Sequence, residues 1–163
     1  MKKAPGLCLL VFLTIGLRAQ QPVSEHYQTA QFDVAIFPKE FKADLGKHIK
    51  RFTPTKQEVD TVEYFLHKKD VRNKKMNNSI YHNKNWHGYD WYKRQYFGCI
   101  DKKGNKYLYV VCLVELSGDY DHQKGYWLIK PEGIIWDSDE VEIFKFNLKT
   151  NELFDFESGG TSP

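Results

Sequence analysis

Asp119, Asp121 and His122 are the most closely grouped side chains that could do chemistry, in the run Gly118-Asp119-Tyr120-Asp121-His122. Two carboxylates and an imidazole in one short loop are of the type that holds a metal ion or works as acid and base. Asp and Gly are also what a solvated turn is made of, and that is the stronger reading here. His82 and His87 lie in an Asn-rich stretch and would fall off a common helix face, so they give no ligand geometry. A Cys99–His pair could make a thiol nucleophile, yet Cys99 follows Tyr96-Phe97-Gly98 in mid-strand, where packing is the simpler role. No G-x-S-x-G, H-E-x-x-H, Walker loop or paired C-x-x-C is present. No cofactor or metal is implied.

A second grouping is broader. Between Lys68 and Arg94 eight bases face two acids, interleaved with Tyr81, Trp86, Tyr89, Trp91 and Tyr92. Lys and Arg among aromatics can bind phosphates, acidic glycans or nucleic acid by charge and stacking. The stretch from Glu115 to Glu157 carries 11 acids against four lysines, so the basic segment has an internal counterweight. The formal charge of +3 arises from Lys2, Lys3 and Arg18. Beyond them the chain is neutral, which removes the main support for nucleic-acid binding. Trp86, Trp91, Arg94 and Trp136 are the residues best suited to a contact surface. Arg94 sets a planar donor fork at the start of a hairpin, although a salt bridge to one of the later acids is the stronger reading for it.

These residues need a frame to position them. Lys2 and Lys3 precede an apolar run from Leu7 to Leu17, and Leu17-Arg18-Ala19 offers cleavage before Gln20. That is the pattern of a signal peptide over 1–19, hence an exported, periplasmic or extracellular protein. The run covers roughly half of a ~30 Å hydrocarbon core, and no later segment is apolar over the ~18 residues a span needs. Residues 20–30 read as a loose leader, 31–158 as one domain and 159–163 as a tail. In the domain, Phe32, Val34 and Ile36 alternate as a first strand ending at Pro38. Thr55 and Glu58 form a capping box, and Val59, Val62 and Leu66 recur along one helix face, so a helix is expected over 54–68. Residues 91–101 and 106–116 pair through Lys102-Lys103-Gly104-Asn105, followed by strands at 125–130, 139–147 and 152–157. Cys99 should then lie opposite Tyr107 or Leu108, too far from Cys112 for a bridge. The expected fold is α+β: one main helix packed on a curved antiparallel sheet of about five strands, in cystatin-like or NTF2-like outline.

Phe52-Thr53-Pro54-Thr55 with Glu58-Val59, then Tyr92-Lys93-Arg94-Gln95-Tyr96-Phe97-Gly98 and its turn, then Phe144-Lys145-Phe146-Asn147-Leu148-Lys149-Thr150-Asn151, come in an order that resembles an uncharacterised family of secreted or lipid-anchored bacterial proteins. The resemblance implies an exported α+β domain and no particular activity. Pro131 to Asp137 departs from the family's pattern in having no Asp-Gly-Gly turn. The expectation is therefore an exported binding or protein-interaction module without a catalytic centre, its partner an unnamed protein or small ligand. The competing expectation is a small cavity-type enzyme using Asp119, Asp121 and His122.

Overall fold

Thr55 opens the helix α1 (Lys56–His67) through reciprocal bonds. Its Oγ1 accepts the Glu58 amide at 3.2 Å, and its own amide donates to Glu58 Oε2 at 2.8 Å. Val59, Val62 and Leu66 are buried along the face that this start sets. They pack on a seven-stranded sheet in a computed structural model that describes residues 22–46, 49–67, 92–114, 125–129 and 141–158.

The strands are β1 (Glu25–Gln28), β2 (Asp33–Phe37), β3 (Lys50–Phe52), β4 (Tyr92–Ile100), β5 (Lys106–Val114), β6 (Val141–Asn147) and β7 (Glu152–Ser158). Their spatial order is β1-β2-β4-β5-β6-β7. The edge of β4 is shared: β2 runs parallel to residues 93–97, and β3 runs antiparallel to residues 98–100. The α+β class is as expected, but the sheet has seven strands rather than about five, and one of its pairings is parallel. β1 lies in the stretch read as a loose leader, and its burial shows why: an edge strand with three exposed residues has no apolar alternation. Residues 125–130, expected as a strand, instead contain the short helix α2 (Tyr126–Ile129). Trp127 and Leu128, consecutive in sequence, both pack on the sheet while Ile129 is exposed, which a pleated strand would not allow.

The central hairpin follows the expected turn. Asp101 Oδ1 accepts the amides of Lys103 and Asn105, both at 2.8 Å, and Gly104 takes a φ of 86°. The register sets Cys99 opposite Tyr107 and Cys112 opposite Arg94. By the strand's two-residue alternation the thiols face opposite sides of the sheet, and both are buried and free.

Both faces of the sheet are covered. Val34, Ile36, Tyr96, Leu108, Val110, Cys112, Phe144 and Phe146 form the core under α1. Ala35, Phe37, Phe97, Val111 and Ile143 form a second core on the far side, under Phe41, Ala43, Leu45, Trp127 and Leu128.

At Gly98 the backbone of β4 lies close against β3. A Cβ there would sit 2.4 Å from the Phe52 carbonyl oxygen and 2.9 Å from the Phe52 ring, so an added methyl must push β3 away. Gly104 meets nothing within 4 Å and resists a side chain only through its positive φ. Gly98→Ala is expected to cost about 2 kcal/mol and Gly104→Ala about 1 kcal/mol, read as midpoints of thermal or urea unfolding. Equal losses would show that β3 yields freely.

Candidate functional site

The apolar stripe of α1 has a gap. Val59, Val62 and Leu66 occupy the first, second and fourth places of the i, i+3, i+4, i+7 pattern, and the third place is Glu63. The helix therefore drives a carboxylate into the core, where it is 1% exposed. On β4, Arg94 shares the helix-facing side with Tyr96 and is fully buried. The two charges meet side-on: Arg94 Nε donates to Glu63 Oε1 at 2.6 Å and Nη2 donates to Oε2 at 2.8 Å. The Tyr96 hydroxyl donates to Oε1 at 2.5 Å, and His67 Nε2 stands 3.5 Å from Oε2.

Burial alone would raise the Glu63 carboxyl, but the nearby His67 and the charge and hydrogen bonds of Arg94, with Tyr96, bring it below its ordinary value. The Glu63 charge likewise holds Arg94 protonated against its desolvation. Burial, reinforced by the Glu63 charge, pushes the Tyr96 hydroxyl well up, and burial does the same to the Cys112 thiol. The chemistry of these groups is spent on one another.

Glu142 differs. It continues the cross-strand row Arg94–Cys112–Glu142 over β4, β5 and β6, on the helix side. It is 5% exposed, and its Oε2 has no hydrogen-bond partner among the described residues. Desolvation pushes its pKa up to about 7.

Beside the buried pair lies an open groove of about 620 Å³. One wall is the β1–β2 turn, residues 29–32. The other is the flank of α1 that carries Asp60, Glu63, Tyr64 and His67. Thr29 Oγ1 shapes the turn by accepting the amides of Gln31 and Phe32. The Tyr27 hydroxyl donates to Asp60 Oδ1 at 2.8 Å, tying β1 to the helix, and this bond raises the Tyr27 pKa. Phe32 lies edge-on to Tyr27, and Tyr64 is 53% exposed at the rim.

Of the residues singled out from sequence, Trp86, Trp91, Trp136, Asp119, Asp121 and His122 lie outside the described residues. Arg94 is described, and it is a fully buried strut rather than a surface contact. Among the described residues its partner is Glu63, earlier in the chain. Glu63 and Glu142 went unnoticed, although each falls in phase with the apolar residues around it. Among the described residues, no three His, Cys, Asp or Glu side chains group as metal ligands. No family model, curated protein or solved structure matches the chain at a significant level.

The two buried glutamates give opposite pH dependences. Glu142, with its folded pKa above the ordinary 4.5, holds a proton that the unfolded chain has lost, so its contribution falls as pH rises from about 4.5 to 7. The penalty above pH 7 is on the order of 3 kcal/mol. Glu142→Gln is expected to be more stable than the parent at pH 8 and to flatten that decline, as followed by urea midpoints from pH 4 to 8. Glu63, depressed when folded, stabilises above the ordinary carboxylate value and loses this as pH falls through its lowered folded value. Arg94→Met alone strands a buried carboxylate and is expected to cost about 3–5 kcal/mol. Adding Glu63→Leu should recover part of that loss, since the pair then leaves together; a double variant less stable than Arg94→Met would contradict it.

Proposed function

We propose that this chain is an exported binding or protein-interaction module, and that the groove between the β1–β2 turn and α1 belongs to its contact surface. One contrast carries the reading. The buried Glu63, Arg94 and Tyr96 engage one another, whereas the groove beside them is open and walled by an exposed aromatic ring. Export rests on the leader, with Lys2 and Lys3 ahead of the apolar run, and on the resemblance to secreted or lipid-anchored bacterial proteins. No helix among the described residues is long and apolar enough to cross a membrane. Trp86, Trp91 and Trp136 are further contact residues on this reading, supported by their type alone. The cystatin-like or NTF2-like outline is kept as an architectural expectation and bears on fold, not on ligand.

A photoreactive phenylalanine in place of Tyr64 in the full chain, produced in an exporting host, tests the reading. An adduct of defined mass is expected from position 64 and not from the equally exposed position Ile129. Identical adducts at both positions, or none at 64, would count against the groove. Turnover that disappears on alanine substitution of Asp119, Asp121 and His122 would replace the module with an enzyme.

A further inference from the structure

Charge in the groove is unevenly compensated. Of the two acids that line it, Glu63 is neutralised by Arg94 at 2.6 Å. Among the described residues Asp60 has no such cation. Its one described partner is the neutral Tyr27 hydroxyl on Oδ1, and no Lys, Arg or His among the described residues forms an ion pair with it. The nearby Lys56 is committed elsewhere, 2.7 Å from Glu25 and with its ammonium over the Tyr27 ring. The opposite wall, Thr29 to Phe32, brings no charge, and His67 is turned to Glu63. What the groove presents is thus a solvent-facing carboxylate in a lining that also holds the Phe32 and Tyr64 rings. A carboxylate beside aromatic rings is the combination that attracts an ammonium or guanidinium, by ion pairing and by the ring quadrupole.

Two further features fit a side chain on a polypeptide better than a free amine. The groove's volume, about 620 Å³, far exceeds one cationic head group. Its turn wall, residues 29–32, also continues directly from β1, which has β2 as its one strand neighbour in the described sheet, so an extended backbone can pair along β1.

We infer that the groove receives a lysine or arginine side chain of a partner polypeptide, with Asp60 as the counter-ion. The inference rests on the groove being a contact surface and adds the chemistry of what it contacts.

The test is to sort a displayed library of random nonapeptides against the full chain and against Asp60→Asn. Peptides enriched by the parent are expected to be rich in Lys or Arg, to lose at least tenfold in affinity for Asp60→Asn, and to weaken with added salt. Because Asp60 is exposed, its replacement should leave the unfolding midpoint close to the parent's. Tyr27→Phe, which releases Asp60 Oδ1, should bind the same peptides at least as well. Enrichment without a basic bias, or a bias that survives Asp60→Asn, would overturn the cationic occupant and leave the groove as a contact surface. Enrichment of no peptide would count against both. Spermidine that binds the parent as tightly as the best peptide would overturn the polypeptide as its source.

Discussion

The bidentate contact between Glu63 and Arg94 fixes how helix and sheet meet. An apolar face of Val59, Val62 and Leu66 can slide or rotate on a layer of Val, Phe and Leu with small energy changes, because hydrophobic contact is not directional. A guanidinium and a carboxylate buried side-on cannot move without leaving a charge unpaired. Arg94 sits on β4, which has β2 and β5 as neighbours, so the helix is indexed against the middle of the sheet. Tyr96, two residues on and on the same face, completes the cradle from the same strand. The groove follows from this placement, since its helical wall is the flank of the turn that carries Glu63.

The sheet separates two cores, and both cysteines follow the separation. Cys112 lies in the layer with Arg94 and Glu142, where the nearby charges act on its thiol. Cys99 lies in the other layer near Arg51, whose Nε donates to the Gly98 carbonyl at 3.0 Å. Among the described residues both faces of the sheet are covered, and the open groove lies at the margin, between the helix flank and the β1–β2 turn.

Much of the frame could be read from the sequence because local rules and tertiary packing agree there. The capping box, the Asp101–Asn105 turn, the long central strands and the opposition of Cys99 to Tyr107 all follow from short-range chemistry. The failures share a different cause. β1 and β3 are held by their neighbours rather than by any apolar pattern of their own, and α2 is an apolar run too short for periodicity to classify. The site was hidden by treating charge as outward by default. Glu63 occupies the inward place of a helical stripe, and Glu142 keeps phase with Phe144 and Phe146. Tracing phase before polarity would have found both.

The parallel pairing of β2 with β4 has a consequence for how the chain acquires its shape. β4 and β5 close across a tight turn, while β2 must wait for a partner that lies more than fifty residues downstream. Closing the longer loop costs about 2 kcal/mol more in chain entropy. During synthesis, which proceeds from the N-terminus, the run Val34-Ala35-Ile36-Phe37 precedes its docking strand and is fully buried only after that strand arrives. Such a β-prone apolar segment is a point of self-association while it waits. Asp33 on one side, with Pro38 and Lys39 on the other, brackets it with residues that resist strand extension and stacking. The sequence thus protects its strand during the interval that the topology imposes.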